Sequence, residues 1–260
     1  MTGAGELQRM LVLCFGIQKS GSTLAFELVR GVLETAGFAQ PFLRNDRFKD
    51  GTAPEGARNF VEHIDKARIE ELLQEIGPDR RIAMKTHSGF PAGIFPWLED
   101  LQARREVQVI VSRRDPRDIC LSLLDAGARS RRIGAGAFTE LETLDDAAAY
   151  VGRRIARHRR WLALRGTLAL DFDIVAYAPD SAIDAIETCL GVSGDHALAK
   201  KHAFEEADTR KNKARRDRHV DEMTAEQKAR TAAIFAGFLP EFRDESWREP
   251  FRRKLLARVG

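Results

Sequence analysis

Apolar and polar positions along this chain fall into blocks of two lengths. Met10 to Gly16, MLVLCFG, is apolar throughout and has the length of a buried strand. Leu24, Leu28 and Val32 then recur every fourth residue within Thr23 to Ala36, which predicts a helix ended by Gly37. A loop from Phe38 to Gly56 carries Pro41 and Pro54, and a second helix is expected over Ala57 to Ile76, stopped by Gly77-Pro78. Arg81 to Lys85 reads as a short strand, Gly93 to Ala103 as a brief helix, and Val107 to Ser112, rich in β-branched residues, as a third strand. Asp115-Pro116 reads as an N-cap followed by proline at the first helical position, with the helix running to about Leu124.

Residues 126–142, with Gly127, Gly134 and Gly136 among arginines, read as a flexible loop. A long basic helix over Leu144 to Leu164 and a strand over Thr167 to Asp171 follow, then helices at about Ser181 to Leu190 and Thr224 to Phe238. The last opens with T-A-E-Q, a capping-box sequence. Strands separated by helices predict an α/β fold: a doubly wound, mainly parallel sheet flanked by helices. With no repeat and no low-complexity linker, one domain over 1–260 is expected. In such sheets ligands sit at the carboxyl ends of the strands, so the first strand-to-helix turn is where chemistry is sought.

Composition narrows the classes. A chain of 260 residues, 43% hydrophobic and 31% charged, has material for a large core and is not disordered as a whole. Met10 to Ile17 is too short to span a membrane and lacks the flanks of a signal peptide, so a cytoplasmic protein without a transmembrane segment is expected. Cys14, Cys120 and Cys189 lie far apart in apolar stretches and read as buried free thiols. The 42 basic residues nearly balance 39 acidic ones but cluster at Arg113 to Arg117, Arg129 to Arg132, Arg153 to Arg160 and Arg210 to Arg218. Clusters on a neutral background suit a small polyanion better than nucleic acid, and for Arg153 to Arg160 a solvated helix face suffices.

The turn after the first strand reads Gly16-Ile17-Gln18-Lys19-Ser20-Gly21-Ser22-Thr23. Its glycines permit a tight curl, its N–H groups and the helix start favour a phosphate, and Lys19, Ser22 and Thr23 add donors. In a nucleoside-triphosphate P-loop a lysine follows the second glycine. Here Ser22 stands there and the lysine lies two positions before that glycine, so phosphate binding is retained while triphosphate hydrolysis is disfavoured.

Two further segments extend the pattern: I-A-M-K-T-H at Ile82 to His87, and V-I-V-S-R-R-D-P-R-D-I-C-L-S-L at Val109 to Leu123. With Q-K-S-G-S-T, in this order and spacing over residues 10–125, they resemble the cytosolic-type sulfotransferases, P-loop-containing proteins that use 3′-phosphoadenosine 5′-phosphosulfate (PAPS) as sulfuryl donor. The family's late R-K-G-x-x-G-D-W element is missing; Arg210-Lys211-Asn212-Lys213-Ala214-Arg215-Arg216 keeps the basic character without the glycines.

The resemblance implies roles. Lys19, Ser20, Gly21, Ser22 and Thr23 would hold the 5′-phosphate, with Lys19 also meeting the leaving oxygen. His87 would be the general base toward the acceptor hydroxyl, and Lys85 either assists at the sulfonate or caps its strand. Arg114 and Ser122 would bind the 3′-phosphate, with Arg210 and Lys211 as further candidates. Phe172 and Phe204 are candidates for the adenine face, with core packing as the alternative for each; Trp97 and Trp161 read as core. Arg113 and Arg117 are expected to face solvent or pair with Asp115 or Asp118.

PAPS would be a co-substrate, released as adenosine 3′,5′-bisphosphate, with no metal: the sequence shows no clustered ligand pattern. The acceptor would be a carbohydrate or a small secondary metabolite, contacted from loops 38–56 and 126–142 acting as lids and from Ser88 to Pro96. The high arginine content suggests a bacterial source. Oligomeric state is not legible. The competing readings are a P-loop kinase of a small metabolite, which lacks its expected lysine, and a non-catalytic nucleotide- or nucleic-acid-binding module, which would need a continuous basic stripe with interleaved aromatics.

Overall fold

The computed structural model describes residues 9–46, 59–134, 136–207, 209, 213 and 215–239. Its strands are β1 (Met10–Gly16), β2 (Arg81–Thr86), β3 (Val107–Arg113) and β4 (Leu168–Asp171). The helices are α1 (Ser22–Thr35), α2 (Lys66–Ile76), α3 (Phe95–Ala103), α4 (Pro116–Arg132), α5 (Leu144–Leu162), α6 (Phe172–Tyr177), α7 (Pro179–Leu190), α8 (His196–Lys201), α9 (Arg218–Glu222) and α10 (Ala225–Ile234). Contacts gather the chain into two compact units, Met1–Arg113 with Arg154–Ala214, and Arg114–Arg153 with Arg215–Gly260.

The first unit holds the sheet, in order β2-β1-β3-β4 with every neighbouring pair parallel. Side chains of a strand alternate between faces, and β1 has apolar residues at every position before Gly16, so both faces are buried. Met10, Val12 and Cys14 pack with α1, α7 and α8 on one face. Leu11, Leu13 and Phe15 pack with α2, α3 and Trp161 on the other. The expected α/β architecture is therefore the one observed. From β1 the chain first builds β2 on one side, then crosses back to build β3 on the other. The strand order thus reverses at the carboxyl end of β1, the usual ligand-binding position in open α/β sheets.

Two expected elements differ. The second helix begins at Lys66 rather than Ala57, because Asp65 caps it, accepting from Arg68 N at 2.8 Å. Before that cap, Asn59 to Val61 lie extended along β2: Lys85 N donates to Asn59 O at 3.0 Å and Val61 N to Lys85 O at 2.8 Å. The Asn59 amide also holds the preceding loop, accepting from Leu43 N and donating to Pro41 O. Residues 47–56 of that expected lid lie outside the described residues.

The second difference is in the second unit. Residues 126–132 are helical, not loop: α4 continues through Gly127 to Arg132. Gly127 is buried, and a Cβ there would lie 2.4 Å from Phe138 O. This glycine serves close approach of the returning chain rather than a helix break. Arg131 fastens the same return by donating to Thr139 O and Leu141 O, and Phe138 meets Tyr150 edge-on. The capping box at Thr224 forms as expected, and α10 ends at Ile234, short of Phe238.

Candidate functional site

At the carboxyl end of β1 the chain turns through Ile17 to Ser20 into α1. Ser20 N closes the turn on Ile17 O at 3.0 Å. Lys19 (φ 70°) and Gly21 (φ 86°) take left-handed backbone. Reversing the backbone hand in this way forms the concave N–H arrangements that accept anions. Gly21 is the N-cap of α1 and supplies no side-chain acceptor, so the helix's first N–H groups and positive dipole end are not masked by a capping oxygen.

The glycine before the turn is required by crowding. A Cβ on Gly16 would lie 2.1 Å from Ser112 Oγ and 2.6 Å from Ser22 Cβ. Ser112 pairs with Gly16 in the sheet, and its hydroxyl lies 2.8 Å from Ser20 Oγ in a buried hydrogen bond. The N–H of Ser20 is thus engaged within the turn and its hydroxyl with Ser112 of β3. Lys85, near the end of β2, donates from Nζ to Thr23 Oγ1 at 2.5 Å.

His87 follows β2 directly. Its Nδ1 lies 2.6 Å from the Gly16 carbonyl oxygen. A carbonyl only accepts, so Nδ1 carries the proton and donates, and the neutral ring has its basic lone pair at Nε2. Phe60 packs tilted against the ring at 5.7 Å. A second histidine serves the same region: His158 of α5 donates from Nε2 to Ser112 O at 3.2 Å and packs tilted against Phe15. Burial pushes its pKa down to about 4, more than the bond to Ser112 can offset, so this ring is neutral near pH 7.

Phe172, first residue of α6, is buried against the same turn: a Cβ on Gly21 would lie 2.6 Å from its ring. Phe204 sits in the π-helical turn His202–Glu206 and is half-buried against the α1-side core. Trp161 is fully buried, as expected, with Nε1 donating to Ser88 O at 2.9 Å. Arg113, expected to face solvent or pair with Asp115 or Asp118, meets Asp171. The parallel register sets it opposite Asp171, and the two close a bidentate pair at 2.9 and 2.8 Å. Arg117 pairs with Asp115 as expected.

In the second unit, Asp115 caps α4 and accepts from Arg117 N at 2.8 Å, with Pro116 in the first turn. Arg114, Asp118 and Ser122 follow at one-turn intervals and all three are buried. Arg114 donates to Arg215 O at 2.8 Å and lies 3.9 Å from Asp118 Oδ2. Asp118 Oδ1 accepts from both His219 N (2.9 Å) and His219 Nδ1 (2.8 Å). Burial alone would raise the Asp118 carboxyl; the His219 hydrogen bonds and the Arg114 charge outweigh it and hold the pKa below the usual range. Arg218, also buried, is tied to Asp125 and Glu222. Arg210 and Lys211 lie outside the described residues.

Sequence reasoning missed Ser112, His158 and the Asp118–His219 pair as members of these frameworks. Only Ser112 leaves a trace in the sequence, as a polar residue closing a β-branched strand. The fold also gathers Asp184, Glu187 and His196, whose ligand-type atoms lie within 4.8 Å, a grouping the sequence pattern did not show. These three already form ion pairs at the protein surface: His196 Nε2 lies 3.3 Å from Glu187 and 3.9 Å from Asp184. Among the described residues, no helix is long and apolar enough to cross a membrane.

The architecture matches solved structures. It is similar to mouse sulfotransferase SULT7A1 complexed with PAP, at TM-score 0.54 and 14% identity, covering 89% of this chain and 85% of that one. It is also similar to retinol dehydratase in complex with androsterone and inactive cofactor PAP, at TM-score 0.50 and 17% identity, covering 90% and 81%. The sulfotransferase domain of the Synechococcus PCC 7002 olefin synthase aligns over 91% of this chain and 98% of that domain, at TM-score 0.44 and 14% identity. No family model and no curated protein sequence matches the chain. The fold is that of the first two structures, a parallel sheet flanked by helices with a P-loop-type turn after β1.

Proposed function

We propose that this chain is a PAPS-dependent sulfotransferase, moving a sulfuryl group to the hydroxyl of a carbohydrate or small secondary metabolite. The observation that carries the reading is the meeting at Gly16 of the turn Lys19 to Thr23 with His87, whose Nδ1–H is spent on the Gly16 carbonyl. The hydrogen bond from Lys85 to Thr23 supports it, as does a fold shared with a sulfotransferase and a retinol dehydratase, both complexed with PAP.

In this reading the turn and the start of α1 hold the 5′-phosphate through backbone N–H groups. The fit is supported by the helix start, whose N-cap Gly21 places no side-chain acceptor over the first N–H groups. His87 Nε2 takes the proton as the acceptor oxygen bonds to sulfur. Lys19 meets the bridging oxygen as its bond to sulfur breaks, and adenosine 3′,5′-bisphosphate leaves. The demands resemble those of phosphoryl transfer, namely positioning and stabilisation of charge on the leaving oxygen. Lys85 orients Thr23 and adds positive charge beside the turn. Arg114 and Ser122 are assigned the 3′-phosphate, for which a guanidinium has matching paired donors. Phe172 and Phe204 are proposed as the adenine-side aromatics.

Calorimetric titration tests the reading. Adenosine 3′,5′-bisphosphate is expected to bind in the micromolar range, and adenosine 5′-phosphate and Mg-ATP much more weakly. Preference for Mg-ATP would replace it with a kinase, and binding of none of the three would refute a donor site.

A further inference from the structure

Arg81 opens β2, and Arg105 lies between α3 and β3. Both stand at the amino end of the parallel sheet, the length of β1, about 20 Å, from the turn that follows it. Their guanidinium groups converge on one atom. Arg81 donates to the carbonyl oxygen of Leu190, the last residue of α7, at 2.7 Å, and Arg105 donates to the same oxygen at 2.9 Å. A helix's last carbonyl carries partial negative charge, and one basic side chain is its ordinary partner. Two full positive charges on one carbonyl are a different matter, because they repel each other. Among the described residues neither guanidinium forms an ion pair, and Arg81 Nε is buried without a hydrogen-bond partner. Glu106, next in sequence, is taken by Arg9 and Arg104. Burial and the Arg105 charge together lower the Arg81 pKa. The arrangement is nonetheless built to persist. Arg81 lies over the Phe38 ring, 4.7 Å from its centroid. Arg105 has left-handed backbone (φ 59°) in the turn that closes α3, where Arg105 N donates to Gln102 O and Glu106 N to Leu101 O. Glycine is the usual residue at that position, so the chain keeps an arginine where the backbone favours no side chain.

We propose that Arg81 and Arg105 form a binding site for a tetrahedral oxyanion of the phosphate or sulfate type, at the amino end of the sheet and separate from the turn after β1. A dianion supplies the two negative charges that the Leu190 carbonyl cannot, and each guanidinium presents paired N–H donors matched to such oxygens. A carboxylate has the same oxygens but brings one charge. Gly191 belongs to the site by its size, since a Cβ there would lie 2.9 Å from Arg105 Nη2. A bound oxyanion joins the start of β2, the end of α3 and the end of α7. It therefore acts on the stability of the sheet's amino end, not on chemistry at the turn, and the site stands whether or not the turn binds PAPS.

Thermal unfolding of the full chain decides it, in phosphate, sulfate, acetate or chloride at equal ionic strength and slightly alkaline pH, where phosphate is mostly a dianion. Phosphate and sulfate are expected to raise Tm above its value in chloride and to saturate, and acetate to do little. Arg105→Gly removes one guanidinium and puts glycine in backbone that suits it, so the chain is expected to fold while its apparent affinity for phosphate falls about tenfold, the scale of one charged hydrogen bond. Arg81→Gln is expected to show the same loss. Phosphate held at the turn after β1 is common to parent and variants and cancels in the comparison. Stabilisation by salts excluded from the surface is also shared, and it does not saturate. A phosphate response undiminished in the variants, an equal response to acetate, or no saturable response in the parent overturns the proposal. Should Arg105→Gly not fold, Arg81→Gln decides alone, and an undiminished response in it is sufficient to overturn.

Discussion

The turn after β1 and the first two turns of α4 are built on opposite plans. The turn is made of backbone and short side chains: two residues of left-handed backbone, a glycine pressed against Ser112, and a serine–serine hydrogen bond. The start of α4 is made of long charged side chains held by residues about a hundred positions away, with Asp118 bonded to His219 and Arg114 to Arg215. The first plan fixes geometry through local covalent constraint, which costs little and varies little. The second fixes it through a balance of buried charges, which one lost hydrogen bond can tip.

The difference sets what each region should lose on mutation. The largest effects belong to chemistry at the turn. His87→Ala is expected to lower kcat by about 10²–10⁴-fold, as removal of a general base does, and Lys19→Ala to remove most turnover, both with bisphosphate affinity nearly intact. Full activity in His87→Ala would show that another group takes the proton.

Next comes the pH dependence of the framework beneath the turn. His158 has its pKa lowered to about 4 in the folded chain, against an unfolded value near 6.5. Between those values the unfolded state binds a proton that the folded state refuses, so folding stability falls as pH drops from about 6.5 toward 4, by up to about 3 kcal/mol. Denaturant unfolding at pH 7 and pH 5 measures the slope. His158→Phe should flatten it, and an unchanged slope would assign it to other groups.

The α4 plan is probed by Arg114→Ala, expected to weaken the bisphosphate by about 1.5–3 kcal/mol while sparing adenosine 5′-phosphate. Equal loss for both ligands would remove the distinction between the two regions. The smallest effect sharpens it from the other side. Ser20→Ala deletes one half of the buried bond to Ser112, and should cost about 1 kcal/mol in stability with kcat little changed, because the Ser20 hydroxyl faces the frame of the turn. A large loss of turnover in this variant would mean that hydroxyl reaches the donor.

The uneven legibility of the two regions has the same origin. The strand MLVLCFG, the glycines of the turn and the lysine between them are neighbours in sequence, so the turn could be read from its own residues. Lys85 and His87 were legible for a related reason. Parallel pairing of β1 with β2 brings the ends of both strands to one edge, so a motif at the end of either falls beside the turn. Gly127 misled because a glycine in sequence reads as a break, whereas its buried position inside α4 depends on Phe138 passing close by. Arg113 misled because its nearest acids in sequence, Asp115 and Asp118, lie on the helix that follows, whereas strand register sets Asp171 opposite it.

By itself, then, the sequence determined the sheet, its parallel sense and the turn at its switch point. Hydrophobic periodicity and glycine placement are local signals, and parallel strands joined by helices have few ways to pack. Only the tertiary structure decided the partners of the charged groups: that Arg113 closes on Asp171, that Asp118 takes His219, and that His158 is buried neutral. Those outcomes depend on distances of a few ångströms between residues 46 to 101 positions apart. Electrostatic energy changes steeply over such distances, and no short-range pattern in the chain encodes them.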